Sequence, residues 1–364
     1  MNTKNVLIID DSALMRRVIS DIIEADKRFN VIGAAINGLA GLSMLQENAG
    51  NVDLVLLDIH MPRMNGLEVL EEIKKQNIKT TVIVVSAVTT SDAKETIHAL
   101  ELGAFDFITK PESLEELRSN AFTERLINCL EVATKCSEQK QQRTIVTEAP
   151  KIITASLPPI QKKRVTEEDR YQNKLIAIAC STGGPKALHN IIPNLPKEID
   201  AGVVIVQHMP EGFTKSLADR LNSLSQLPVK EAEDGEVLKK GWVYIAKGGR
   251  QLRVIRDQDG GHILKVSLEP PRRGLSPCAD ILYESLVDAD YDEITCVVLT
   301  GMGSDGSAGI KELSKNKNIH VIAQDKNTSI VYGMPRMIKM TGLVDKVVSL
   351  DDVTEAIIEN VGVR

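Results

Sequence analysis

The chain opens as a repeated alternation of two patterns. Val6–Ile9, Val31–Ala35, Leu54–Leu57, Val82–Val85 and Phe105–Ile108 are short apolar runs of strand length. Between them apolar residues recur at helical spacing, predicting helices near Ala13–Ala25, Leu39–Gln46, Leu67–Lys75 and Ala93–Leu102, with a last helix after Pro111. Repeated strand–helix units imply a doubly wound, five-stranded parallel sheet whose working face is the carboxyl end of the strands.

From Cys136 to Asn173 the alternation stops. Ser137–Arg143 is polar, Leu157-Pro158-Pro159-Ile160 breaks regular structure, and Gln161-Lys162-Lys163-Arg164 is basic and reads as a solvated stretch. Buried-strand runs then return at Leu175–Ala179, Val203–Val206, Ile294–Leu299 and Ile319–Ala323. Between Val229 and Val266 lie short strands with Gly turns, including Gly241–Ala246, which predict an antiparallel insertion or edge. The expected organisation is an N-terminal α/β domain at 1–135, a linker at 136–173 and a second doubly wound α/β domain at 174–364.

Composition narrows the function classes. The formal net charge of −6 is concentrated in residues 1–117, which carry −7, while 118–173 carry +3 and 174–364 carry −2. No segment has the basic excess of a nucleic-acid footprint, and aromatics are only 3%, too few for base-stacking platforms. The longest apolar runs are far short of a membrane span, and the start of the chain does not resemble a signal peptide. Five dispersed cysteines fit reduced thiols, so a soluble cytoplasmic protein that neither binds nucleic acid nor inserts in a membrane is expected.

The first domain places Asp10, Asp11, Asp58, Ser86 and Lys110 at predicted strand ends. Three carboxylates in one crevice repel one another unless a hard dication joins them. With a hydroxyl and an ammonium beside it, such a carboxylate is a phosphoryl acceptor in outline. In the second domain Ser181 ends a buried strand in Ile178-Ala179-Cys180-Ser181-Thr182-Gly183-Gly184-Pro185, where a nucleophile can sit beside helix N–H groups. Cys180 is a rival nucleophile, but its neighbouring strand position points it to the opposite side. His208 and Asp305 follow two further strands and complete a nucleophile, a base and a carboxylate to orient it.

One segment supports a competing reading. Gly301, Gly303 and Gly306 satisfy G-x-G-x-x-G after a strand, and Asp325 lies where a ribose-binding acid is expected. A receiver-regulated nucleotide-binding protein is therefore an alternative. A non-enzymatic adaptor is another, although it leaves the three strand-end residues without a role.

Val6–Ser12, Leu57–Gly66, Val85–Ala87 and Ile108–Pro111 together resemble the receiver domain of bacterial response regulators, a flavodoxin-like fold. The resemblance implies that Asp58 takes a phosphoryl group from a sensor histidine kinase. It also implies that Asp10, Asp11 and Asp58 hold Mg²⁺, and that Ser86 and Lys110 sense the phosphate. Cys180–Pro185, Gln207–Pro210, Gly241–Ala246, Leu299–Gly306, Ala323–Asp325 and Gly333–Pro335 resemble the catalytic domain of the chemotaxis protein-glutamate methylesterases.

That second resemblance implies Ser181 as nucleophile, His208 as base and acid, and Asp305 as the orienting carboxylate. Thr182 would support the site, the Met302 backbone would contribute to the oxyanion hole, and the ester reaction would need no cofactor. Implied substrates are glutamate γ-methyl esters, and glutamines to be deamidated, on methyl-accepting chemoreceptors. The receiver is expected to inhibit until phosphorylated. The chain departs from the usual pattern at Lys247 (usually Pro), Gln251 (often His), Ser276 (commonly Arg) and Cys278 (commonly Ser).

Overall fold

The computed structural model describes residues 3–111, 113, 115–116, 120–144 and 173–363. The chain divides into two compact units, Met1–Ile153 and Thr154–Arg364.

In the first unit, β1 (Lys4–Ile9), β2 (Phe29–Ala35), β3 (Leu54–Asp58), β4 (Thr81–Ser86) and β5 (Asp106–Thr109) form one sheet in the order β2-β1-β3-β4-β5. All four pairings are parallel. Every residue of β3 is buried, as expected of a central strand covered by helices on both faces. Those helices begin where the sequence supplies caps. Ser12 accepts the Met15 N–H at the start of α1 (Ala13–Glu24), and Asn37 caps α2 (Gly38–Glu47). Asn65 and Glu68 form a reciprocal capping box on α3 (Gly66–Lys75), and Thr89 caps α4 (Thr90–Leu102).

The next helix, α5 (Asn120–Thr144), runs through Cys136 and takes up the polar segment Ser137–Arg143 expected to begin the linker. Phe122, Leu126, Leu130 and Ala133 give it a buried face, and Glu, Gln, Lys and Arg propagate a helix well beyond that face. The Leu157–Ile160 breaker and the Gln161–Arg164 tetrad lie outside the described residues.

The second unit is built on seven strands in the order β15-β14-β13-β6-β7-β10-β8. Its centre is β6 (Lys174–Cys180) and β7 (Ala201–Gln207), with β13 (Glu293–Val298) on the other side of β6. β14 (Ile319–Gln324) and β15 (Lys346–Val348) extend one wing, β10 (Val243–Ile245) and β8 (Val229–Glu231) the other. The chain moves outward in one direction from β6 through β7 and returns beside β6 as β13. This makes β6/β13 the topological switch point, where a crevice opens at the strand ends.

The antiparallel expectation for Val229–Val266 holds only in part. β9 (Glu236–Val237), β11 (Gln251–Arg256) and β12 (His262–Ser267) form a separate antiparallel sheet. By contrast, β10, from the Gly241–Ala246 segment, pairs parallel with both β7 and β8 and is fully buried. Its brevity hid the fact that both its edges are occupied. The helices of this unit are α6 (Gly184–Ile191), α7 (Phe213–Leu224), α8 (Ala279–Ser285), α9 (Ser307–Leu313), α10 (Met334–Met340) and α11 (Val353–Val361).

Candidate functional site

Two strand-end sites stand out, one in each unit. In the first, Asp10 follows β1 and Asp58 ends β3, and both are buried, at 2% and 4% exposure. The Lys110 ammonium bridges them, 2.9 Å from Asp10 Oδ2 and 2.8 Å from Asp58 Oδ2. Asp11 is exposed, yet ligand atoms of Asp10, Asp11 and Asp58 all lie within 4.8 Å of one another. Burial raises the Asp58 pKa, and the attraction of Lys110 offsets this only partly. Asp10 Oδ2 touches Lys110 without hydrogen-bond geometry, so one buried oxygen is incompletely satisfied. A hard, oxygen-seeking dication such as Mg²⁺ fits this donor set.

Ser86, at the end of β4, is buried, and its hydroxyl is engaged by α4. It lies 2.8 Å from the Thr96 hydroxyl on α4. His60, two residues after Asp58, reaches the buried Asp92 carboxylate of α4 at 2.5 Å. Both contacts tie the loops of the pocket to the same helix.

The second site lies at the ends of β6, β7 and β13. Ser181 leaves β6 with its N–H bonded to Thr300 O (3.0 Å), and the His208 N–H is bonded to Cys180 O (3.1 Å). A Cβ on Gly301 would sit 2.9 Å from Ser181 Cβ, so only glycine lets the segment after β13 lie against the serine. The Gly183 φ of 79° turns the chain directly from Ser181 and Thr182 into α6. Thr182 is tied down through its carbonyl, which accepts the Thr300 hydroxyl (2.9 Å). Met302 is 53% exposed at the mouth of the site, and its Cα lies close to Gly333.

His208 Nε2 is 2.7 Å from Asp305 Oδ2. Asp305 also accepts the N–H groups of Ala279 (2.6 Å) and Asp280 (3.0 Å) and the Cys278 thiol (3.1 Å). Burial alone would raise its pKa, but His208 and the two N–H groups outweigh burial and hold it well below the usual carboxylate range. Asp305 is therefore an anion at neutral pH that fixes one imidazole nitrogen. Nδ1 is left for proton transfer on the other side.

Cys180 is fully buried with its thiol 3.0 Å from Gln207 Oε1, and burial pushes its pKa far up, so it is no rival nucleophile. Gln207 itself escaped sequence reasoning. Its amide donates to Ser181 O (3.0 Å) and His208 O (3.2 Å), stitching together the turns that carry both residues. A polar residue closing an otherwise apolar, fully buried strand was the available signal. Gln324, buried at the end of β14, likewise accepts the Thr300 N–H at 2.8 Å.

The glycine motif that suggests dinucleotide binding is used differently. Gly301 abuts Ser181, Gly306 packs against Tyr283, and Asp325 closes its own turn by accepting the Thr328 N–H and hydroxyl. Among the described residues, no helix is long and apolar enough to cross a membrane.

Comparison with known proteins agrees with this division. Residues 6–122 match the response regulator receiver domain and residues 176–357 match the CheB methylesterase domain. The chain is 40% identical over 361 residues to a protein-glutamate methylesterase/protein-glutamine glutaminase of Syntrophomonas wolfei, covering 98% of this chain and 99% of that one. It is 41% identical to the protein of the same name from Geobacillus kaustophilus, over the full length of both. The solved CheB methylesterase catalytic domain of Thermotoga maritima aligns with 52% of this chain and 99% of its own, at 43% identity and a TM-score of 0.50. A receiver followed by a catalytic unit of this kind, matched along its whole length, makes the chain a member of the CheB protein-glutamate methylesterase family.

Proposed function

We propose that this chain is a phosphorylation-activated methylesterase that hydrolyses glutamate γ-methyl esters on chemoreceptors and deamidates receptor glutamines. The observation that carries the reading is the 2.7 Å pairing of His208 with the buried Asp305 at the switch point beside Ser181. Domain boundaries close to 1–135, 136–173 and 174–364 accompany it.

Ser181 Oγ attacks the ester carbonyl carbon while His208 Nδ1 accepts the serine proton. Asp305 holds Nε2–H and stabilises the imidazolium so formed. The Met302 backbone N–H, presented where Gly301 folds over the serine, stabilises the carbonyl oxygen as it becomes negative, and Thr182 holds the turn beside it. The imidazolium then returns its proton to the departing methanol, or to ammonia when the substrate is an amide. Water attacks the acyl-serine with His208 again as base, releasing the glutamate carboxylate.

In the first unit Asp58 accepts the phosphoryl group from a sensor histidine kinase. Asp10, Asp11 and Asp58 would hold Mg²⁺, which would supply positive charge for the phosphoryl oxygens. Lys110 then pairs with the phosphoryl oxygens, and Ser86 leaves Thr96 to hydrogen-bond them. Phosphorylation relieves restraint of the catalytic unit in a chain that works in the cytoplasm. Methanol release from methylated receptor, with and without a small phosphodonor, tests the reading. Release by a Ser181→Ala protein at the wild-type rate would falsify it.

A further inference from the structure

Gln251, Ser276 and Cys278 lie on two facing segments behind Asp305. The Gly249 N–H donates to Ser276 O at 3.0 Å. Fully buried Gln251 spans the facing loop, donating from Nε2 to Leu275 O (3.0 Å) and accepting the Cys278 N–H at Oε1 (2.9 Å). Cys278 is thereby fixed with its thiol 3.1 Å from Asp305 Oδ1. That oxygen also accepts the Asp280 N–H, whereas Oδ2 accepts the Ala279 N–H and faces His208.

We propose that Cys278, anchored by Gln251, is a positioning residue of the catalytic site. Its S–H donates to Oδ1, fixes Oδ2 as the oxygen presented to His208, and tempers the pull of Asp305 on the imidazole proton. Burial and the Asp305 charge push the thiol up to about 12, so at neutral pH it is a donor and not a thiolate. A thiol donates more weakly than a hydroxyl, so donor strength at position 278 grades how basic Asp305 remains. The inference rests on His208 and Asp305 acting as the base and its orienting partner.

The other groups facing Asp305 are His208 after β7 and Asp280 and Tyr283 on α8. Arg273 and Glu284 lie beyond them, beside Asp280. All are unchanged in a series at position 278.

The test is an NMR titration of the His208 imidazole in the full chain, its signal assigned by loss in His208→Gln, with the other five histidines as controls. The expected order of His208 pKa is Cys278→Ala above wild type above Cys278→Ser, spanning about half a unit. Gln251→Leu should move it in the direction of Cys278→Ala. The acid limb of kcat/KM for methanol release should shift in the same order, with KM unchanged.

Identical pKa values across the series, or the reverse order, overturn the proposal. Should Cys278→Ala fail to fold, wild type against Cys278→Ser decides alone. The ordered titration without any methanol release would overturn the proposed activity and leave only the Cys278–Asp305–His208 coupling standing. Activity without the order would do the opposite.

Discussion

Asp58 and Asp305 are both buried carboxylates at the carboxyl ends of parallel strands, yet their surroundings push them in opposite directions. Asp58 shares one ammonium with Asp10 in a crowded acidic pocket, and burial raises its pKa. Asp305 has a partner at each oxygen, including two N–H groups and an imidazole, and is held strongly anionic. One site keeps unspent capacity for cations and a phosphoryl group. The other is saturated and ready to support an imidazolium. The difference is one of donor supply rather than depth of burial.

The comparison can be broken most severely at the reaction itself. Ser181→Ala should lower kcat for methanol release by about 10⁴–10⁶-fold while leaving phosphorylation at Asp58 intact. Kinetics together with phosphodonor labelling check both halves. A lesser loss, though still of catalytic scale, is expected for Asp305→Asn, about 10⁴-fold, because the amide can hold the wrong imidazole tautomer.

Packing supplies the next test. A Cβ on Gly184 would lie 1.9 Å from Gln207 Oε1, and one on Gly66 would lie 2.3 Å from the Asp58 carbonyl oxygen. Gly184→Ala should cost about 2–3 kcal/mol in the catalytic unit, whereas Gly66→Ala should perturb the receiver. Thermal unfolding read separately for the two units distinguishes them. Displacing Gln207 should also reduce kcat, since its amide joins the Ser181 and His208 turns.

The smallest effects concern charge and stability. Asp58 has a folded-state pKa above its unfolded value, so its contribution is present at low pH and is lost as pH rises through the folded pKa. Asp58→Asn should therefore raise the stability of the receiver at pH 7 relative to its effect at pH 4, while abolishing activation by a phosphodonor. Asp305 is the reverse case. Its contribution is present above the unfolded value, near pH 4, and is lost as pH falls toward the depressed folded pKa. Asp305→Asn should thus destabilise at pH 7, and this difference from wild type should shrink in acid. Melting temperatures at pH 7 and pH 4 test the sign for Asp58, and a further point near pH 2 tests it for Asp305.

Much of this was legible along the chain because strand-sized Val/Ile/Leu runs carry their own burial signal. The local motifs around Asp58, Ser181 and His208 likewise place chemistry at strand ends without reference to distant residues. Lys110 is legible too, although its bridging of Asp10 and Asp58 depends on where β1, β3 and β5 lie in the sheet. Helix α5 was less legible, because the polar residues beyond its buried face suit a helix or a tether equally well.

By itself, then, the sequence determined two doubly wound α/β units and the residues able to do chemistry in each, because periodicity and strand-end motifs are local properties. Only the tertiary structure decided that β10 lies inside the parallel sheet and that Ser86 rests against Thr96. The same is true of Gln207 joining two catalytic turns and of Cys278 and Gln251 standing behind Asp305. These are contacts between residues far apart in the chain. Hydrogen-bond satisfaction in a buried space, rather than any local pattern, selects them.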